Sequence, residues 1–255
     1  MLLGELPDAK AQPNLEDLVR PSRFIFQGTI KTLNATTVAN FPATDSTSIV
    51  KVDKVLYTPG TLGDFTNKDI TIQSSRLPVK VGQQAVFFTE VLLYAESIAV
   101  LEIGRIEDVK NIEDLRKQIL DVLSKIADQA LQRRLASAEL VVVGKVTATR
   151  PAPEQVRIGP VTEHFPDWWE AVIQIDSIEK GQLPGNNITI LFPQSQDVAW
   201  GLAPKFSEGQ NGIWILRKET IEAFPTQSYL TALDPLDFQP LNQLERVRRL
   251  LRGIR

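Results

Sequence analysis

One histidine, His164, stands in the stretch Glu163-His164-Phe165-Pro166-Asp167-Trp168-Trp169. A histidine-based zinc site or a Ser-His-Asp relay would have to work through it. An imidazole beside carboxylates can also move a proton near neutral pH, although the more common meaning of such a residue is an exposed loop histidine. The chain carries no G-x-S-x-G elbow, no G-x-x-x-x-G-K-[ST] loop, no G-x-G-x-x-G turn and no H-E-x-x-H helix. Asp53 and Asp176 are carboxylates at matching places, and a carboxylate pair can divide acid and base roles. They fall in different halves of the chain, however, and read as outward-facing or turn-stabilising residues. Cysteine is absent, which excludes disulfides and thiolate metal sites. The expectation is a non-enzyme with no catalytic residue, no metal and no cofactor.

Binding chemistry is better represented. Trp168 and Trp169 could stack on a base or sugar, or anchor a protein interface. On a strand two adjacent side chains face opposite ways, so one would pack in a barrel and the other cover its rim. They close a loop, residues 150–170, that also carries Pro151, Pro153, Pro160, His164 and Pro166, and a second divergent stretch, 194–204, holds Trp200. Arg246, Arg248, Arg249, Arg252 and Arg255 make the C-terminus basic, against a formal net charge of −3 for all 255 residues. Nucleic acid, anionic lipid or an acidic partner subunit could meet that helix. The residues expected to bind partners are His164, Trp168, Trp169, Trp200, Arg246, Arg248, Arg249 and Arg252.

The elements that must position these side chains are written twice. Phe24-Ile25-Phe26-Gln27-Gly28 aligns with Leu140-Val141-Val142-Val143-Gly144, and Val50-Lys51-Val52-Asp53 with Ile173-Gln174-Ile175-Asp176. Ile70-Thr71-Ile72 then matches Ile188-Thr189-Ile190, and Gly82-Gln83 matches Gly209-Gln210 ahead of a last apolar run. β-branched and aromatic runs, period-two alternation and glycine turns predict five short strands per copy. Apolar residues at three- and four-residue steps from Ile112 to Leu131 predict an amphipathic helix over 112–135, capped by Asn111. Leu244, Val247 and Leu251 predict a matching C-terminal helix. The fold class is mainly β with helices: two tandem five-stranded OB-like antiparallel barrels, each followed by a helix. The domain boundaries expected are 1–110 for the first barrel with its short N-terminal helix, 111–135 for the connecting helix, 136–240 for the second barrel and 241–255 for the basic helix.

The A-E-L-V-V-V-G-K-V opening of the second copy (Ala138–Val146), its K-G turn, its I-T-I strand and its E-G-Q-N-G-I-W-I-L strand (Glu208–Leu216) resemble bacterial relatives of the inhibitory domain of tissue inhibitors of metalloproteinases. The resemblance implies an OB-like barrel. Those inhibitors reach a protease's zinc through a disulfide-bonded N-terminal cysteine, which this chain lacks, so inhibition is not implied. The function expected is a structural or adaptor subunit of a larger protein assembly, working through loops and helices; phage-tail-like and secretion machines offer an analogy. The alternatives are a single-stranded nucleic-acid-binding OB protein, and a hydrolase inhibitor or small-ligand module using the 150–170 loop. Met1-Leu2-Leu3-Gly4-Glu5 has no basic leader region, and no apolar run is long enough to span a bilayer. A cytoplasmic protein or intracellular assembly is therefore expected, and a secreted chain stripped of its leader would read the same.

Overall fold

The computed structural model describes residues 14–60, 62–74, 78–94, 97–157, 164–221 and 224–254. The Met1–Glu5 stretch, Pro160, Glu163 and Arg255, all invoked above, lie outside the described residues. The chain divides into two compact units, Met1–Ile126 and Ala127–Arg255, so the boundary falls within the long helix expected as a connector.

In the first unit a short helix α1 (Leu15–Val19) leads into β1 (Phe24–Leu33), followed by β2 (Thr47–Tyr57), β3 (Asp69–Gln73), β4 (Gln84–Tyr94) and β5 (Ile98–Glu107). The strands close in the order β1-β2-β3-β5-β4, with β4 returning to β1. The chain then enters α2 (Ile112–Ser137), which belongs to this unit as far as Ile126 and to the second unit from Ala127, and the Asn111 side chain at its start accepts from the N–H of Glu113 and Asp114. Alternation sorts β1 into two buried faces. Phe24 and Phe26 point into the barrel with Val50, Ile70, Ile72 and Phe87, while Ile25 turns outward beneath Leu18, Val19 and Ile119.

The second unit repeats the plan with β6 (Leu140–Pro151), a one-turn helix α3 (Glu154–Arg157), β7 (Trp168–Lys180), β8 (Asn187–Pro193), β9 (Asn211–Ile221) and β10 (Phe224–Thr231). A two-residue strand β11 (Phe238–Gln239) adds to β9, and α4 (Leu244–Arg252) ends the described chain. Its strands run β6-β7-β8-β10-β9, with β9 closing on β6. Leu140, Val142 and Val146 fill the barrel with Ile173, Ile190 and Trp214, whereas Val141 and Val143 lie under Leu131, Leu135, Val247 and Leu250.

Two closed five-stranded barrels, each followed by a helix, are thus present, and their common strand order is consistent with OB-like barrels. Both are mixed, because β3 pairs with β5 in parallel and so does β8 with β10. Placing the fifth strand between the third and fourth makes it antiparallel to the fourth and hence parallel to the third. Strand direction follows from that topology and leaves no mark on side-chain alternation. Trp168 and Trp169, expected to close the loop after β6, are the first two residues of β7.

The repeated landmarks share one geometry. Opposite Gln27 and Gly28 the partner strand bulges at Asp53, and opposite Val143 and Gly144 it bulges at Asp176. A Cβ at Gly144 would stand 2.2 Å from the Gln174 carbonyl oxygen, and one at Gly28 would stand 2.8 Å from the carbonyl oxygen of Lys51, the equivalent residue. The glycines are required by this close approach. Gly82 and Gly209, also equivalent, answer a different need, a turn with φ of 81° and 88°. Gly144→Ala is expected to lower the stability of the second unit by about 1–3 kcal/mol, and Gly28→Ala that of the first by less, since one of its contacts is the movable Val50 side chain. Thermal and urea unfolding check the order.

Candidate functional site

The loops at one end of the second barrel gather the tryptophans and the histidine. Trp168, at the start of β7, is buried with Ala152, Val156 and Leu191, against Phe165, Tyr229 and Leu233. Trp169 faces the other way and packs on the barrel core, its indole N–H donating to Asp167 Oδ2 at 2.9 Å. Trp200 reaches Trp168 from the 194–204 stretch, with ring centroids 5.9 Å apart and planes inclined by 59°. Its indole N–H donates to the His164 carbonyl at 2.8 Å. The exposed His164 ring is joined through Nδ1 to Asp197 Oδ1 at 3.0 Å.

Asp197 also organises the turn that carries Trp200. Its Oδ1 accepts from the Ala199 N–H at 2.8 Å and its carbonyl from the Trp200 N–H at 2.9 Å. The Ala199 bond, opposed by partial burial and helped by His164, holds the Asp197 carboxyl below the usual range. Lys205 donates to the Trp200 carbonyl at 2.9 Å, and burial lowers the pKa of its ammonium. Fixed in this way, the turn presents Val198 at 88% and Leu202 at 80% exposure. Four of the expected residues, His164, Trp168, Trp169 and Trp200, therefore lie on adjoining loops and strand ends, with Trp168 and Trp169 on opposite faces.

The α4 arginines occupy a different place. Arg248 grips Glu179 on β7 with Nε and Nη2, both at 2.9 Å. Arg246 Nε and Arg249 Nη2 share Asp128 on α2, at 2.6 and 2.9 Å. Three of these four arginines thus dock α4 onto its own unit. Arg252 is exposed and forms no ion pair among the described residues. Asp53 and Asp176 act as bulge residues, with Asp53 Oδ2 accepting from Thr29 Oγ1 at 2.7 Å and Gln84 Nε2 at 3.1 Å.

Two buried ion pairs escaped the reading of the sequence. Asp237, 0% exposed, accepts from Arg134 through both carboxylate oxygens, and from the N–H groups of Leu233 and Asp234 at 2.8 and 2.9 Å. Burial pushes the Asp237 carboxyl up in pKa, against the pull of Arg134 and the two backbone donors. In the first unit buried Arg105 donates from Nη1 to both oxygens of Glu102, at 2.9 and 3.1 Å, from Nε to Glu107 at 2.9 Å and from Nη2 to the Pro78 carbonyl at 2.9 Å. A bulge at Ile103 turns Glu102 and Arg105 to one face, where strict alternation would separate them. No group of three or more His, Cys, Asp or Glu placed to hold a metal ion occurs among the described residues, and no helix among them is long and apolar enough to cross a membrane. No family model matches the chain, and no curated protein matches it.

Arg134→Met would leave the Asp237 carboxylate buried without its counter-charge. The second unit is expected to lose about 3–5 kcal/mol, read as a lower urea midpoint at unchanged slope. The α4 contacts respond to pH. Hydrogen bonding from Arg248 lowers Glu179 from 4.5 despite burial, and at Asp128 the bonds from Arg246 and Arg249 outweigh burial and lower it from 3.8. Carboxyls lowered by folding contribute fully above their ordinary values and lose that contribution as pH falls through the lowered ones. Amide-exchange protection factors along α4 should therefore drop below pH 4.5, and Glu179→Gln should flatten the part of that response that belongs to Arg248.

Proposed function

We propose that this chain is a non-enzymatic adaptor, a structural subunit that holds partner proteins in a larger assembly through the loop face of its second barrel. The supporting observation is the Asp197–Ala203 turn, which keeps Val198 and Leu202 at 88% and 80% exposure on a fixed backbone. Single exposed aliphatics are ordinary on protein surfaces. Two on one turn, braced by the tilted Trp168–Trp200 contact and by hydrogen bonds from the N–H groups of Ala199, Trp200 and Ala203, form a preorganised apolar knob that loses little freedom when a partner covers it. Trp168 serves this function as a support beneath Trp200, Trp169 belongs to the barrel core, and Trp200 and His164 are the parts nearest the surface. Single-stranded nucleic acid is the alternative that an OB-like barrel invites. It is less well supported, since Arg246, Arg248 and Arg249 are engaged by Asp128 and Glu179.

The test is recovery of tagged full-length protein from its native lysate after nuclease treatment, followed by sizing. A large complex of fixed composition is expected from the wild type and a lone chain from Leu202→Asp, whose exposed position leaves the fold intact by circular dichroism. Partners that vanish with nuclease, or a complex indifferent to Leu202→Asp, overturn the proposal.

A further inference from the structure

Away from the loop face, α4 and the end of β7 bound two adjoining hollows of about 310 and 300 Å3 that share Glu179 and Leu251. The first sets Ile178, Leu251 and Ile254 beside Glu179, Lys180 and Gly181, and Ile178 is 41% exposed. The second is flanked by Arg248 and Arg252. The charges here are unequally committed. Arg248 is taken up by Glu179, through paired 2.9 Å bonds, and by the exposed Glu245 at 3.1 Å. Lys180 spends its ammonium on the Leu135 and Ala136 carbonyls at 2.8 and 2.9 Å, where it closes the C-terminal end of α2. Among the described residues that line the two hollows, Arg252 is the cation whose side chain is held by neither an ion pair nor a hydrogen bond, and it adjoins the shared Leu251.

We infer that this cleft is a docking site for an acidic amphipathic segment of a partner protein, which seats an aliphatic side chain among Ile178, Leu251 and Ile254 and sets a carboxylate on Arg252. The uncompensated charge selects an anion, and the guanidinium fork suits a carboxylate. Each hollow is at the small end of ligand pockets, and the two lie side by side, which fits successive side chains of one segment in the manner of groove recognition. The inference is independent of the loop face.

Two N-acetylated, C-amidated peptides test it on the full chain by NMR: alternating leucine and aspartate, and the same peptide with lysine for aspartate. The aspartate peptide should shift the Ile178, Leu251 and Ile254 methyls and the Arg252 Nε–H. The lysine peptide should bind about tenfold or more weakly, as should the aspartate peptide to Arg252→Gln, a change at an exposed residue. Equal binding of both peptides, shifts elsewhere, or an Arg252→Gln chain that binds as before overturns the inference. So does binding of phosphatidylserine vesicles without binding of either peptide, which would assign the cleft to a membrane surface.

Discussion

Closing five strands into a barrel forces one strand to cross its neighbour closely enough that a side chain cannot stand between them. Each unit has an equivalent place of this kind. Gly28 lies against the Lys51 carbonyl and Gly144 against the Gln174 carbonyl, with a bulge at Asp53 or Asp176 on the facing strand. The bulge adds the residue that increases the coil, and the missing Cβ lets the backbones approach. The interior clusters depend on that closure, since Phe24 and Phe26 or Leu140 and Val142 become core residues only once β4 and β9 return to β1 and β6. The helices depend on it too, because the outward residues Ile25 and Val141 form their seats.

How much of this was legible in the sequence follows from the range of each interaction. The strands, the α2 cap at Asn111 and the turn glycines are local features, and alternation or a neighbouring residue announces them. The glycine–aspartate pair was visible as a repeat, though its meaning was not, since a bulge is a relation between strands. Glu102 with Arg105 was hidden for a related reason: the Ile103 bulge breaks the period of two by which faces are assigned. Arg134 with Asp237 joins positions 103 residues apart, and nothing near either residue marks the other. Parallel pairing of the third and fifth strands is likewise set by strand order.

The candidate residues divide along the same line. Arg246, Arg248, Arg249 and Arg252 share a short segment and looked like one basic surface. Carboxylates at positions 128 and 179 separate them, engaging three within the unit and leaving Arg252. A run of like charge on a helix reports its surface role only after its intramolecular partners are known. The aromatic residues were easier to place, because two adjacent tryptophans on a strand must divide between faces, and Trp168 and Trp169 do so.

The two barrels share a frame and cover it with different chemistry. In the first unit the loop after β1 lies across β3 through hydroxyls: Thr37 donates its N–H to Thr71 Oγ1 at 2.8 Å, and Thr36 Oγ1, Thr37 Oγ1 and Ser97 Oγ continue the chain. Those groups satisfy one another and leave little for a partner. The matching residue of the second unit, Thr189, is exposed, and the loops of that unit are held by the tilted contact of Trp168 with Trp200 and by the Asp197 turn. Aromatic bracing can fix a backbone and still leave aliphatic side chains outside it, whereas a closed set of hydroxyl bonds turns its polar groups inward. A duplicated frame closed at Gly28 and Gly144 is free to vary these coverings, and the variation places the exposed apolar surface of Val198 and Leu202 on the second copy.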